Sequence, residues 1–429
     1  MATFIVVFIL VFGVNTSVWG LTGLGRALIH AQGAKRGTTA PSLVRPAHVA
    51  VLIAAHNEEL VIANTITSAR ALVPVVNIFV ASDASTDGTA AVARAAGANV
   101  LEITPNRGKA GALVAALNHF KIAGNFSAVM LLDADTHLSA DYMATALPYF
   151  NDPAVVAIAG RVSTIAEPQS STLMGRFLVA YRERFYVAVQ YLLKYGQAAR
   201  GANVVSIVPG FASLYRSSVL QYIEIDAPGL AIEDFNMTFE VHAKKLGKIA
   251  FHPHAAIAYT QDPDNFHDYS HQLGRWALGF WQTLARHKFR VGKFWAALAF
   301  FLVELISSSI MMVILLPVLL LSSLATIATQ AIPQLGGPAL WLAEFVPPQA
   351  LIAGVLIPDY LLTVVVAIVV RRPKYLLLGV AFPLMRIVDA AICLRALPRA
   401  LFGTSTGAWK SPTRRANDQK LSKAASLQP

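Results

Sequence analysis

Short apolar runs that stop at polar clusters alternate with longer mixed stretches from Val49 to about Gly160. Runs of this kind read as buried strands and the stretches between them as helices, so the alternation predicts βαβ units and a mostly parallel sheet covered by helices. Strands are predicted at 49–55, 75–81, 99–103, 128–132 and 155–159, with helices near 58–71, 86–96, 108–120 and 140–149. All the polar clusters that close the first four strands then fall on one rim, where open α/β sheets bind ligands.

Different patterns flank this block. Ala2 to Gly25 carries no charge and is long enough to cross about 30 Å of hydrocarbon as a helix. A secretory signal peptide competes with that reading, but a basic leading region is missing. Phe294 to Thr326 and Ala350 to Val370 are predicted as further spans, joined by a short external loop rich in Pro and Gly. Glu304 is an acid at membrane depth and therefore a channel candidate. Tyr375 to Leu397 is long enough to span, yet Pro383, Arg386, Asp389 and Arg395 interrupt it, and an interfacial helix is preferred. Between Asp264 and Lys288, the residues Phe266, Tyr269, Leu273, Trp276 and Phe280 recur at helical steps as one aromatic stripe, which predicts a helix lying at the membrane interface. The expected division is an N-terminal span at 1–30, an α/β domain at 46–262, interfacial helices at 263–293, spans and an interfacial helix at 294–397, and a basic tail at 398–429.

Composition supports a membrane protein: 429 residues are 55% hydrophobic and 14% charged, with a net charge of +11 and a mean hydropathy of +0.53. Many of the basic residues flank apolar spans, as in Arg26 to Arg45, Arg286 to Lys293 and Arg371 to Lys374, and no nucleic-acid-binding motif is present. The basic residues after the first span place the α/β domain in the cytoplasm. The single cysteine, Cys393, excludes an intramolecular disulfide.

Candidate chemistry lies in the clusters at the strand ends. His56-Asn57-Glu58-Glu59 follows the first strand, Asp83-Ala-Ser-Thr-Asp87 the second, Asn106-Arg-Gly-Lys109 the third and Asp133-Ala-Asp135 the fourth. Residues two apart project to the same side, so Asp133 and Asp135 can face one divalent cation that holds phosphate oxygens. Taken alone, each cluster also reads as a helix cap or a solvated turn. Lys109 is a cation at a helix start, which the helix dipole disfavours unless an anion sits there, and a phosphate is the expected anion. No Gly-x-Gly-x-x-Gly follows a strand and no phosphate-loop pattern occurs, which argues against a dinucleotide oxidoreductase or a nucleoside triphosphatase.

These clusters, with Pro209-Gly-Phe211, Ile232-Glu-Asp234 and Gln272-Leu-Gly-Arg-Trp276, resemble the membrane-integrated processive glycosyltransferases of family 2, which include cellulose, hyaluronan, chitin and poly-N-acetylglucosamine synthases. The resemblance implies a GT-A-type α/β fold and an inverting transfer from a nucleotide sugar, UDP first, to a growing polysaccharide. It puts Asn57, Glu58, Asp83 and Lys109 at the nucleotide and Asp133 and Asp135 at the diphosphate with Mg²⁺ or Mn²⁺. Asp234 becomes the general base, while Phe211, Glu233, Gln272, Arg275 and Trp276 lie at the acceptor and diphosphate. Trp409, Thr413 and Arg414 become a gate over the nucleotide. Ile232 departs from the family's usual Thr at that position. The implied location is a bacterial inner (plasma) membrane, with membrane lipids as surroundings, a lipid-linked sugar as the alternative acceptor and a homo-oligomer compatible with it. A non-catalytic export subunit is the third reading, opposed by the intact acids.

Overall fold

A computed structural model of the chain describes residues 13–34, 41–165, 170–332 and 337–403. Two of the five expected strands have the expected bounds: β1 (Val49–Ala55) and β3 (Asn99–Ile103). Ile78–Asp83 (β2), Ala128–Asp133 (β4) and Val155–Ile158 (β6) differ from expectation at their ends. β1 and β2 are buried along their whole length, because apolar side chains leave the sheet on both faces and helices cover each. Those helices include α2 (Ile62–Arg70), α3 (Thr89–Ala95) and α4 (Gly108–His119), which follow α1 (Val14–Ala34).

Seven strands form the main sheet in the order β3-β2-β1-β4-β8-β6-β9, with β8 at Ala212–Arg216 and β9 at Lys248–Ala250. Pairs within β3-β2-β1-β4 are parallel, whereas β8 runs antiparallel to both β4 and β6. The strand order reverses at β1, so the crevice at the carboxyl ends of β1 and β4 is the switch point of the sheet. Since β8 is antiparallel, the residues that precede it arrive at this same rim. A small second sheet has the order β5 (His137–Leu138), β10 (Ile257–Thr260), β7 (Arg161–Thr164), β5 beginning two residues after Asp135.

A long helix, α5 (Leu173–Ala188), runs on through a π-helical turn at Val189–Lys194. After α6 (Asp234–Ala243) comes α7 (Phe266–Arg286), capped by the Asn265 side chain, which accepts the Asp268 N–H at 2.8 Å. The longer helices that follow are α8 (Lys293–Ala331), α9 (Pro338–Phe345), α10 (Pro348–Val369) and α11 (Phe382–Phe402). Among the described residues, three helical stretches are long and apolar enough to cross a membrane: Lys293–Ala331, Pro338–Val369 and Lys374–Phe402. The stretch expected to lie at the interface is thus also long enough to span. The described N-terminal helix begins at Val14; residues 1–12, the first half of the expected first span, lie outside the described part.

Two expectations about these helices change. The aromatic stripe of α7 does not simply face lipid: Tyr269 is buried with Leu178, Tyr181 and Phe382, and Phe280 with Trp281, Phe294 and Leu298. Its periodicity marks a face packed on protein. Glu304 caps the start of α1, accepting the backbone N–H of Asn15 at 2.7 Å, and so has a structural occupation in place of the channel role. Replacing Glu304 with Ala is expected to cost about 1 kcal/mol, read as a lower Tm of the purified protein with turnover unchanged. An unchanged Tm accompanied by altered product length would restore the channel role.

Candidate functional site

Lys109 stands in the first turn of α4, and its Nζ lies 2.7 Å from Asp133 Oδ1 and 2.9 Å from Glu233 Oε1. It also donates to the Gly210 carbonyl at 3.3 Å. The anion expected beside this lysine is therefore supplied by two carboxylates of the protein; no phosphate is required to explain it. Burial opposes the lysine's charge, but Asp133 and then Glu233 outweigh it and hold the ammonium well above its ordinary value. Glu233 mirrors this: burial raises it, Lys109 more than offsets that, and its carboxyl ends below the usual range.

Three backbone devices bring these groups together. β4 ends at Asp133, whose N–H donates to the Phe211 carbonyl at 2.8 Å, so the Pro209-Gly-Phe211 turn is stitched to the Asp pair. Gly210 sits where a Cβ would come within 2.8 Å of Glu233 Oε1 and 3.1 Å of Lys109 Nζ, so a larger residue would have to push these two charged tips aside. The Ile232-Glu-Asp segment is held from the other side by α7. Gln282 accepts the Ala231 N–H at 2.8 Å, and the bare Gly279 forms a notch filled by the Ile232 side chain. Ile232, the departure from the usual Thr, thus has an apolar seat.

Asp234 opens α6, where its Oδ2 accepts the Gly210 N–H at 3.4 Å. Burial first, then the charge of Glu233, push its carboxyl up to about 6, which leaves it ionised at neutral pH yet basic enough to take a proton. Arg275 acts electrostatically on Glu233, so the guanidinium of α7 faces the same cluster. Asp135 is buried beside Asp133 and also feels Tyr186 of α5.

The nucleotide-side candidates are tied up more than expected. Asp83 is buried, and its carboxylate accepts the Arg107 N–H at 2.8 Å, so it fixes the loop into α4. Burial raises its pKa. Asn57 bridges two loops by accepting the Thr86 N–H at 2.8 Å, and Glu58 is buried with its N–H on Thr89 Oγ1. Gln272 and Trp276 are brought to the same end as Asp135 by a residue absent from the sequence-based candidates, Arg182. It donates to Gln272 Oε1 at 2.7 Å and lies over the Trp276 ring at 4.6 Å. Lys194, on the π-helical turn, was also missed. It is buried, close enough to feel the charge of Asp234, and burial pushes it down to about 8. Trp409, Thr413 and Arg414 lie outside the described residues.

Mg²⁺ or Mn²⁺ fits this donor set. Among the described residues no group of three or more His, Cys, Asp and Glu side chains could form a protein-only cage. Two carboxylates completed by phosphate oxygens and water are the ligation that Mg²⁺ takes in nucleotide sites, and Asp133 and Asp135 can supply that pair.

A mostly parallel sheet with acids at its switch point and apolar helices after it is a GT-A-like arrangement. Residues 46–279 match the family described as Glycosyltransferase like family 2, and the chain belongs to that family. It is similar to a Bacillus subtilis (strain 168) protein named "Probable glycosyltransferase YdaM", 29% identical over 248 residues, 54% of this chain and 54% of the relative. The chain thus matches about half the length of that curated relative. Among solved structures, mannosyltransferase PcManGT from Pyrobaculum calidifontis, in complex with GDP-Man and Mn²⁺, has a TM-score of 0.51 at 18% identity, covering 91% of this chain and 99% of that one. Glucosyl-3-phosphoglycerate synthase from Mycobacterium tuberculosis, with Mn²⁺, UDP and glucosyl-3-phosphoglycerate, is more distant: TM-score 0.34, 17% identity, 56% and 79% coverage. At these identities the structural likeness is one of fold.

Two outcomes follow from the geometry. Gly279→Leu evicts Ile232 and shifts the adjoining acids; a displacement near 1 Å is expected to lower kcat about 100-fold, measured as nucleoside diphosphate release, with the protein still folded by circular dichroism. Asp234 also carries a stability sign. Its carboxyl, raised to about 6, supports the fold in the protonated form; that contribution is full below the ordinary value near 3.8 and lost as pH rises through about 6. Asp234→Asn is therefore expected to raise Tm at pH 7.5 and leave it unchanged at pH 3.5.

Proposed function

We propose that this glycosyltransferase works with inversion, taking a sugar from a nucleotide donor, UDP-sugar first, and passing it to a hydroxyl of a growing polysaccharide held against Trp276. The observation that carries this reading is the clamp of Lys109 between Asp133 and Glu233, with Asp234 beside it on the Gly210 N–H. It joins the acids of β4 to those of α6 in one crevice.

Asp234 is the base in this reading: an acceptor hydroxyl loses its proton to the carboxylate as its oxygen attacks the sugar carbon and the diphosphate departs. Asp133 and Asp135 would hold a Mg²⁺ or Mn²⁺, which when bound neutralises diphosphate charge. Arg275 adds a fixed positive charge at the same end, and Lys109 keeps the acids of both segments within reach of one donor. Asn57, Glu58 and Asp83 shape the nucleoside side by fixing its loops; Phe211 and Gln272 border the acceptor. The domain would face the cytoplasm, with α8, α10 and the 374–402 stretch in the membrane.

Single transfer to a lipid-linked sugar is the second reading, and one feature favours it. The seam between α5 and the apolar helices, where a polymer would thread, is filled by ion pairs and hydrogen bonds: Asp359 meets Arg184 at 2.7 Å and Arg386 at 3.0 Å, and Asp389 accepts from the Tyr181 and Tyr269 hydroxyls at 2.7 Å each.

Purified protein in nanodiscs, given a radiolabelled panel of UDP-sugars and GDP-mannose, separates these readings. A ladder of long products supports polymerisation, one glycolipid band supports single transfer, and diphosphate release no faster than background would overturn both. With the active donor, kcat/KM is expected to fall tenfold per pH unit below about 6, as Asp234 protonates. Asp234→Asn is expected to abolish turnover while UDP binding, measured by calorimetry, persists; loss of binding would make Asp234 structural.

A further inference from the structure

Arg182, in the middle of α5, is 2% exposed, and its guanidinium is enclosed by three rings, an amide and a carboxylate, with Nε left without a hydrogen-bond partner. Its carbon Cζ lies 4.6 Å from the Trp276 ring centroid, 4.7 Å from that of Tyr269 and 5.9 Å from that of Tyr186. One Nη2–H donates to Gln272 Oε1 at 2.7 Å, and Nε stands 3.9 Å from the buried carboxylate of Asp262, which also accepts the Tyr186 hydroxyl at 3.0 Å. Burying a guanidinium is costly, and packed apolar residues commonly stabilise a core as well as a buried ion pair does. What the planar cation adds is geometry: a flat face for stacking and directed N–H groups.

Both groups that Arg182 orders are on one face of α7, four residues apart. Stacking against one side of Trp276 sets the ring plane, while the ring remains half-buried and able to offer its other side to a sugar. Accepting from Arg182 fixes the Gln272 amide with its oxygen inward, which leaves the NH₂ to donate to a hydroxyl or a diphosphate oxygen. Tyr186, the third ring, is also the one that feels Asp135, so the same cage borders the donor end.

We propose that Arg182 is the positioning residue of the acceptor end, holding the Trp276 ring and the Gln272 amide in the orientation that receives a hydroxylated sugar ring. This rests on the reading that Trp276 takes the acceptor. The test uses the full chain in nanodiscs labelled with 5-fluorotryptophan, the Trp276 ¹⁹F resonance being assigned by Trp276→Phe. Arg182→Lys keeps the charge opposite Asp262 but removes the flat face and the fork. The Trp276 resonance is expected to shift and broaden while those of the other tryptophans stay in place. Titration with methyl β-D-glucoside, methyl β-N-acetylglucosaminide and methyl α-D-mannoside is expected to move the wild-type resonance with at least one sugar, at about tenfold lower concentration than in Arg182→Lys. A Trp276 resonance identical in wild type and Arg182→Lys would overturn the proposal, as would equal shifts in all tryptophans, the mark of a general packing role. If Arg182→Lys does not fold, Gln272→Leu removes the amide that Arg182 orients, and a sugar titration unmoved from wild type there would overturn the proposal equally. Wild-type protein whose Trp276 signal ignores all three sugars would refute the acceptor reading itself, while the hold of Arg182 on the ring is still decided by the variant.

Discussion

One ammonium group holds the site together. Lys109 sits between a carboxylate at the end of β4 and another just before α6, segments a hundred residues apart in the chain. Without that cation Asp133, Glu233 and Asp234 would crowd one crevice with uncompensated charge, the buried Glu233 most of all. The helix dipole at the start of α4 works against a lysine there, so two carboxylates are what make the position tenable. The clamp thereby couples folding to chemistry: Lys109 sets Glu233 low, while burial and the charge of Glu233, against the opposing pull of Lys109, set Asp234 high.

Around that clamp, backbone geometry does most of the positioning. The antiparallel β8 turns a loop that would otherwise lie at the opposite end of the sheet into a wall of the site. Gly210 lets the main chain pass against charged side chains, and Gly279 lets α7 approach closely enough to seat Ile232. The aromatic helix is therefore a structural wall of the candidate crevice. Its packing against α11 and α5 carries the long apolar helices into contact with the residues that would meet the acceptor.

The parts legible in the sequence are those with local signals. β1 and β3 have apolar runs bounded by polar clusters, and their limits were readable to the residue; the Asp133-Ala-Asp135 pair and the aromatic periodicity of α7 were equally plain. Pairings between distant segments were not. Lys109 signalled a missing anion, but its partners on β4 and before α6 could be found only by folding the chain, so a phosphate was expected in their place. Arg182 lies in a stretch of mixed polarity that reads as a long amphipathic helix; its partners Asp262 and Gln272 are 80 and 90 residues away, and no local pattern marks a buried cation. Glu304 looked like a pathway acid because membrane depth is visible in a sequence and a helix cap donated by another helix is not. The short second sheet, built from two- to four-residue strands, falls below the length at which alternation can be recognised.

The claim on which function depends is that the acids of β4 and of α6 serve one donor from opposite sides. A cryo-electron microscopy structure in nanodiscs with Mn²⁺ and an unreactive UDP-sugar analogue tests it most directly. Diphosphate density against Asp133 and Asp135, with the sugar reaching toward the Asp234 carboxylate and the open side of Trp276 beyond it, is the expected result. A nucleotide bound elsewhere on the chain, or a sugar on the far side of the Lys109 clamp from Asp234, would contradict it.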